Sequence, residues 1–447
     1  MGKSSWSLTL ALCGGYFLVL LDVTVVNVAL PSIGAGLHAS SSGLAWVVDA
    51  YTVPLAALLL ATGAVGDRLG HRLVVLSGFI GFFVASVMCA VAWAVPVLVA
   101  GRALQGVSAA LMLPGTLALL TLSAPSDRAR ARVVGLWAAV GGCALPAGPF
   151  IGGLLVQSAG WRAVFWLNVP VIVLALPPVL RSRSDRPAAD GRVDWLGAGA
   201  LVVALGALVT GIIERQPLIF LVAVAGAVAL GVVERRADRP LLAVPSSARR
   251  PLAAACAVAG VMNFCVLGSL FLLTQLFQDV HRLSPLQAGL LLLPGMLPLP
   301  LLGAPSGRLV HRIGAWHTSA LGLVVAAAGF AGIAISAGRP VYPVLLVGLA
   351  VWGAGLGILT PAIVTAAMRT VPDTPGIASG ASNTARQTGG ALGVAVFGAI
   401  AGSAAGTAFA RHASWLLGFG ALAFAVAAAF SAAYAREQLP AQHRSPA

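Results

Sequence analysis

The chain has 447 residues, of which 59% are hydrophobic and only 9% are charged. Soluble domains carry about 25% charged residues, so this composition excludes a globular protein with a water-exposed surface and favours a lipid bilayer as the solvent. The formal net charge of +14 would point to nucleic acid on a soluble protein. Here the Arg residues are concentrated in short segments between apolar runs, which is how orientation in a membrane is encoded.

Apolar runs of about 20 residues recur along the whole chain, which is the length of a transmembrane helix and not of the roughly ten-residue strands of a membrane barrel. Because every backbone polar group must be paired within the bilayer, these runs predict an all-α polytopic membrane protein. Fourteen spans are expected, at 9–31, 44–66, 73–93, 97–121, 132–156, 161–180, 194–213, 217–233, 251–277, 285–305, 316–337, 341–365, 380–404 and 414–435.

The basic residues support this number of spans. With fourteen spans the connecting segments alternate between two sides, and one side collects twenty of the 27 Lys and Arg residues whereas the other collects five. Arg102 and Arg386 lie within spans. The positive-inside rule makes the richer side cytoplasmic, so both termini are expected in the cytoplasm.

An internal repeat divides the chain into two halves. Residues Gly63–Arg72 match Gly303–Arg312 at a constant offset, and each copy follows the second span of its half. Parallel repeats are typical of two-lobed transporters. The expected organisation is a cytoplasmic N-terminus at 1–8, a six-helix half at 9–180, an inserted two-helix hairpin at 194–233, a second six-helix half at 251–435 and a cytoplasmic tail at 436–447.

Six sequence blocks occur in a fixed order on these spans. They are Leu21–Pro31, Gly63–Arg72, Arg102–Gly106, a span-five block that ends with Gly148–Gly153, Phe165–Pro170 and Ala378–Gly390. On these blocks the chain resembles, over nearly its whole length, the fourteen-span drug:proton antiporters of the major facilitator superfamily. The resemblance implies the major facilitator fold, with two six-helix halves and two extra helices inserted between them.

The same resemblance implies a function. It predicts a secondary active transporter of a bacterial plasma membrane that exports drugs or antibiotic-like amphiphilic compounds in exchange for protons by alternating access. The expected partners are a small amphiphilic substrate, with a cationic compound as one option, together with protons and the lipid bilayer. No nucleic acid, cofactor or metal ion is expected, since the proton gradient supplies the energy.

Asp22 lies near the middle of span one. A carboxylate at that depth costs about 2.5 to 3.5 kcal/mol on insertion scales, so we expect it to take up and release the coupling proton. Arg102, within span four, is its candidate counter-charge, because a buried Arg needs a compensating anion or carbonyl groups. A purely structural polar contact is the alternative for Asp22, and a structural clamp is the alternative for Arg102. The resemblance also implies a coupling or substrate-binding acid at Asp22 and a part in proton transfer for Arg102.

Asp49 is a second acid in the same half. It lies about 8 Å inside the outer end of span two, at a rise of roughly 1.5 Å per residue. Three interpretations stay open. Asp49 is a second protonation site, an acid that attracts cationic drugs, or an acid that simply reaches water at the helix end.

The segment from Gly63 to Arg72, here named the gating loop, is expected to form a tight cytoplasmic turn in which glycines permit the turn angles. Its charged side chains would form pairs that hold one gate state and release in the other; a solvated turn that only sets topology is the alternative. In the second copy Gly307 replaces the acid, so the first half is expected to dominate gating. The residues concerned are Gly63, Gly66, Asp67, Arg68, Gly70 and Arg72.

Span five concentrates glycine and proline. Small residues let helices approach closely, and prolines bend helices where neighbours satisfy the freed backbone. In the antiporters that the chain resembles, this block seals the interface between the halves against leak. The residues expected to do so here are Gly135, Gly148, Pro149, Gly152 and Gly153.

A central cavity with apolar walls and few polar groups would suit amphiphilic substrates of varied shape. On span thirteen, Asn383 precedes Arg386 by three residues and Gln387 by four, so these side chains share one helix face. The candidate lining residues are Asn27, Tyr51, Gln105, Met112, Trp137, Asn263, Gln275, Asn383, Arg386 and Gln387.

Other function classes are excluded or disfavoured. An ATP-driven pump with its own nucleotide site needs a GxxxxGK[ST] loop, and the only lysine of the chain is Lys3. An enzyme is not expected, because the histidines lack metal-ligand spacing and no loop is large enough for a site. A channel would not need a midplane acid together with an antiporter-type helix. A dedicated exporter of one natural product for self-resistance stays open, as does, with less support, a proton-coupled solute importer.

Overall fold

The computed structural model describes residues 3–124, 126–182, 194–236, 244–338, 341–371 and 375–442. Within these ranges the chain is helical and contains no strand, and it folds into fourteen spans. The spans are α1 (Lys3–Leu37), α2 (Ser41–Leu69), α3 (His71–Ala90), α4 (Val95–Leu122), α5 (Asp127–Ala159), α6 (Arg162–Leu180), α7 (Trp195–Ile213), α8 (Pro217–Arg236), α9 (Ser246–Val280), α10 (Pro285–Ile313), α11 (Ala315–Ala337), α12 (Tyr342–Met368), α13 (Pro375–Ala401) and α14 (Phe409–Gln442). The predicted all-α fold with fourteen spans is confirmed.

Span α13 is more polar than the others. Of the helices within the described residues, 13 are long and apolar enough to cross a membrane on those grounds alone, and α13 is not among them. It packs closely against α9 through small residues, because a side chain at Gly389 or Gly393 would meet the backbone of Gly260 or Phe264. Enclosure within the bundle lets α13 carry polar groups that lipid would not accommodate.

In three spans the regular hydrogen-bond pattern of the α-helix is interrupted. α6 breaks at Leu167 between two helical segments, and α10 breaks at Leu297 before Pro298, where proline supplies no N–H to the ladder. α9 ends in a π-helical turn at Leu276–Val280. Such turns are rare and often lie at functional sites.

The hairpin of α7 and α8 packs against both halves. Helix α7 contacts α2 of the first half and α13 of the second. At its turn, Glu214 accepts a hydrogen bond from Trp46 Nε1 (2.7 Å), and Arg215 donates to the carbonyl of Ala399. The inserted hairpin therefore bridges the seam between α2 and α13.

Helices α5 and α10, one from each half, meet most closely at the end of the bundle that carries few Arg residues, here named the Arg-poor end. There α5 and α10 are in backbone contact, since a Cβ on Gly153 would lie 2.6 Å from the Pro285 carbonyl oxygen. Farther along, a Cβ on Gly142 would lie an ordinary 3.6 Å from Pro300, and α5 is largely exposed from there to its start. Along this contact, α5 and α10 are therefore closest at the Arg-poor end and diverge toward the Arg-rich end.

Candidate functional site

An ion pair joins α1 to α4 in the interior of the first half. Arg102 Nη1 donates a short hydrogen bond to Asp22 Oδ2, and both side chains are buried, with 1% and 0% of their surface exposed. The sequence-based expectation that Arg102 is the counter-charge of Asp22 agrees with this geometry. Charge-assisted hydrogen bonds of this kind are about twice as strong as neutral ones.

Arg102 is held by further acceptors. Its Nε donates to the Val47 carbonyl (2.9 Å), its Nη1 also donates to Gln105 Oε1 (2.8 Å), and its guanidinium lies 4.4 Å from the centre of the Tyr51 ring. The carbonyl, the amide oxygen and the stacked ring therefore hold the guanidinium together with Asp22.

A neutral polar network surrounds the pair. Ser86 accepts hydrogen bonds from Gln105 Nε2 (2.9 Å) and Asn168 Nδ2 (3.2 Å), which connects α3, α4 and α6. Asp22 Oδ1 is buried and has no hydrogen-bond partner among the described residues. Ser86 and Asn168 were missed by the sequence analysis, although Asn168 lies within the Phe165–Pro170 block that carried the family resemblance.

Three residues that were expected to line the cavity lie instead within the first half, so that expectation is wrong for them. Tyr51 stacks on Arg102 and donates to the Val19 carbonyl (2.9 Å), and Gln105 belongs to the Arg102 network. Met112 fills the space between α1 and α3. Asn27 is buried and donates to the Val23 carbonyl one turn earlier in α1 (2.6 Å). It shares a helix face with the cavity residues Val23 and Thr24.

Asp49 lies on the opposite face of α2 from the Arg102 pair. Its side chain is completely buried, and neither carboxylate oxygen has a hydrogen-bond partner among the described residues. The interpretation that it reaches water at the helix end is therefore wrong for this state. Ala45, one turn earlier, faces Gly398 of α13, and Val53, one turn later, faces Gly206 of α7. Asp49 accordingly lies beneath the seam that the hairpin covers.

The gating loop is helical over most of its length. The expectation that Gly63 to Arg72 forms a turn is therefore wrong, because the turn is confined to one residue. Helix α2 continues to Leu69, and the chain turns at Gly70 alone, with φ of 90°. Such an angle favours glycine. In the second copy Val310 takes the place of Gly70, and α10 runs one turn farther to Gly314, with φ of 84°.

The charge pairs within the gating loop also differ from those expected. Asp67 pairs with His71 Nε2 (3.2 Å) across one turn of chain, not with an arginine. Arg72 binds the last carbonyls of α6, with Nε donating to Val179 (3.2 Å) and Nη2 to Leu180. This contact ties the start of α3 to the end of α6, where a helix favours positive charge.

The glycines of α5 divide into two groups. Gly148 and Gly152 lie against Thr24 and Val25 of α1, and Gly153 lies against α10. Pro149 contributes its carbonyl to the same interface, where it faces Gly289 of α10. The close approach expected of this block therefore holds at these positions. It does not hold at Gly135, where an added Cβ would meet nothing within 4 Å.

Gly153→Ala tests the seal at the Arg-poor end. Because the obstructing atoms are backbone, the halves must separate, and we expect a loss of about 1–3 kcal/mol in stability with a faster decay of an imposed pH gradient in proteoliposomes. Gly135→Ala in the same helix is the matched control, and it should instead stabilise the helix by about 1 kcal/mol. Equal thermal stability and equal proton leak in the two variants would contradict the assigned contact.

A small cavity lies between the halves near the middle of the bundle. Its volume is about 70 Å³, and α1 and α5 line it on one side and α9, α10, α12 and α13 on the other. Among the expected lining residues it contains Asn263, Arg386 and Gln387. We name it the central cavity. Most other lining atoms are apolar, as expected for an amphiphilic ligand.

The remaining expected lining residues lie elsewhere. Gln275 faces a cleft at the Arg-poor end together with Asp279 and Arg282. Trp137 stacks on Tyr16, with ring centroids 3.7 Å apart. Asn383 is exposed, one turn from Arg386. Helix periodicity grouped Asn383 with Arg386 and Gln387, but only Arg386 and Gln387 line the central cavity.

The sequence of this chain matches a known protein family and several known proteins. The family model "Major Facilitator Superfamily" matches residues 12–394. The chain is 36% identical over 441 residues to a "Methylenomycin A resistance protein" of Bacillus subtilis, covering 96% of this chain and 92% of that protein. It is 35% identical over 423 residues to a "Tetracenomycin C resistance and export protein" of Streptomyces glaucescens, covering 90% and 77%.

The fold also matches solved transporters. The crystal structure of a peptide transporter POT aligns with a TM-score of 0.70 at 16% identity, over 98% of this chain and 95% of that chain. This similarity concerns the fold alone. Together with the matched family model and the two relatives, it supports one conclusion: the chain belongs to the major facilitator superfamily.

Proposed function

We propose that the protein is a proton-driven exporter of drugs or antibiotic-like amphiphilic compounds, which works by alternating access in a bacterial plasma membrane with both termini in the cytoplasm. The observation that carries the proposal is the buried Asp22–Arg102 pair beside, and not inside, a cavity between two halves. A transporter that couples two fluxes needs a proton site and a substrate site that can affect each other through helix movement.

Helix α1 connects the two sites. Asp22 faces α4, whereas Val23 and Thr24, the next residues of the same helix, line the central cavity. Protonation of Asp22 removes the charge that holds Arg102, so it weakens the contact between α1 and α4. A shift of α1 then changes the cavity wall directly.

The Arg-rich end of the bundle is assigned to the cytoplasm by the positive-inside rule. On that assignment the close contact of Gly153 with Pro285 lies on the outer side, and α5 and α10 diverge toward the inner side. This helix pair is then closed outward, as an exporter needs while it collects substrate from the cell or inner leaflet. No cofactor is part of this proposal.

A dedicated exporter of a single natural product is the second candidate. It is favoured by the two relatives, whose names describe resistance to methylenomycin A and resistance to and export of tetracenomycin C. Neighbouring genes distinguish the candidates, because biosynthetic enzymes indicate self-resistance whereas an adjacent repressor indicates inducible multidrug efflux. A proton-coupled importer has no observation in its favour.

The test of the proposal is transport in inside-out vesicles. A pH gradient, acidic inside, is expected to drive uptake of a small panel of amphiphilic drugs, and a protonophore should abolish that uptake. Uptake that persists without the gradient, or a pH gradient that drives no compound of the panel, would refute proton-driven export.

Asp49 provides a further prediction. A buried carboxyl without a hydrogen-bond donor is costly when ionised, and we propose that it is a second proton carrier. Asp49→Asn is expected to lower the number of protons exchanged per substrate, measured from the steady-state gradient that transport sustains. Asp194→Asn, at the N-cap of α7, is the control that should leave it unchanged. Unaltered stoichiometry in Asp49→Asn would leave Asp22 as the only carrier.

A further inference from the structure

The central cavity contains a positive charge and no acid. Its polar lining residues are Thr24, Asn263, Thr360, Gln387 and Arg386, and no Asp or Glu is among the lining residues. The other walls are formed by Leu, Val and Met side chains of both halves. A site of this composition favours an apolar ligand with one negatively charged group.

The guanidinium of Arg386 is not paired within the described residues. Its Nε is buried and has no hydrogen-bond partner, and no carboxylate forms an ion pair with the side chain. Asn263 binds the backbone carbonyl of Arg386 (2.8 Å) and so does not use the guanidinium.

The two buried acids of the first half do not supply the missing charge. Asp22 is engaged by Arg102 on another face of α1. Along the α2–α13 contact, Ala45 faces Gly398 and Leu60 faces Gly380. Asp49 therefore lies about seven residues, or roughly 10 Å, from the level of Arg386.

An unpaired cation inside a membrane protein is expensive and is normally matched by an acid, by carbonyl groups or by a ligand. We propose that the central cavity binds amphiphilic compounds through an anionic oxygen group, such as a carboxylate or an acidic phenol or enol, paired with Arg386. This inference rests on the proposed function, because it takes the central cavity as the transport site. The fork of the guanidinium suits two parallel hydrogen bonds to such a group, and like charge disfavours a cationic substrate.

The cavity of about 70 Å³ holds only a few water molecules. The substrate therefore meets Arg386 in a state in which the halves are farther apart. Arg386 then acts as the fixed anchor of the anionic group, while the Leu, Val and Met walls accommodate the apolar body.

Three fluorescent probes of nearly equal size test the proposal: 1-pyrenecarboxylate, 1-pyrenemethanol and 1-pyrenemethylammonium. Binding is measured with the full chain in nanodiscs of zwitterionic lipid. The carboxylate is expected to bind at least about tenfold more tightly than the ammonium, because only the carboxylate can accept a charge-assisted hydrogen bond from Arg386. Arg386→Gln should abolish this preference and leave the affinity for pyrenemethanol unchanged. Arg386→Lys should retain part of the preference for the carboxylate. Arg411→Gln, at an exposed position, should behave as the parent protein.

Tighter binding of the ammonium probe, or an equal loss of all three probes in Arg386→Gln and Arg386→Lys, would overturn the proposal. So would complete displacement of the carboxylate probe by anionic lipid in the nanodiscs, because Arg386 would then bind a lipid phosphate. The vesicle assay separates this inference from the proposed function. Gradient-driven export of cationic compounds alone would leave the function intact and refute the anionic substrate, whereas absence of any gradient-driven export would refute the function itself.

Discussion

Asp22→Asn is expected to reduce gradient-driven export at least about tenfold, to the background level of the assay. Asn keeps the shape of the side chain but removes the charge that Arg102 binds and the position at which a proton is exchanged. Asp22 is outside the central cavity, so substrate binding and energy-independent exchange of labelled for unlabelled substrate should persist. Uptake of substrate into proteoliposomes with and without a pH gradient measures the two quantities separately.

Asp127→Asn is the matched control for this experiment. Asp127 forms an ion pair with Arg130 at 3.3 Å, but its side chain is 98% exposed, and exposed pairs contribute little. Its loss should leave both forms of transport unchanged. Gradient-driven export by Asp22→Asn at the rate of the parent protein would eliminate Asp22 as an essential proton carrier.

Replacement of Arg102 alone is expected to have the largest effect on stability. Arg102→Gln leaves the Asp22 carboxylate buried without its counter-charge, and removal of one partner from a buried pair typically costs about 3–5 kcal/mol. The variant should therefore denature at a distinctly lower temperature in detergent. Arg130→Gln removes the exposed partner of Asp127 and should change stability by no more than about 1 kcal/mol.

The double variant Asp22→Asn/Arg102→Gln separates the charge from the other contacts. Without the carboxylate, no charge is left unpaired, so the double variant should be more stable than Arg102→Gln. Recovery should be incomplete, because the hydrogen bonds of Arg102 to Val47 and Gln105 are also lost. If the double variant lost as much stability as the two single variants together, Asp22 and Arg102 would not interact.

Several features of this protein followed from the sequence because their physical signals are local. Twenty-residue apolar runs and the alternation of Arg between loops require no tertiary contact, and they predicted all fourteen spans. The pairing of Asp22 with Arg102 was predicted for a related reason. Charges within spans are rare, and each needs a partner of opposite sign, so few combinations are possible.

The tertiary structure decided which neighbour each helix face meets. In a soluble protein, the polar face of a helix marks the side turned to water, but lipid and helix neighbours are both apolar, so periodicity cannot distinguish them. For this reason Tyr51, Gln105 and Met112 were assigned to the substrate cavity although they lie inside the first half. The same ambiguity hid the complete burial of Asp49 and the isolation of Arg386. The sequence by itself determined the spans and the buried charges, and only packing decided that Asp22 pairs with Arg102 and that Asp49 and Arg386 have no ion-pair partner among the described residues.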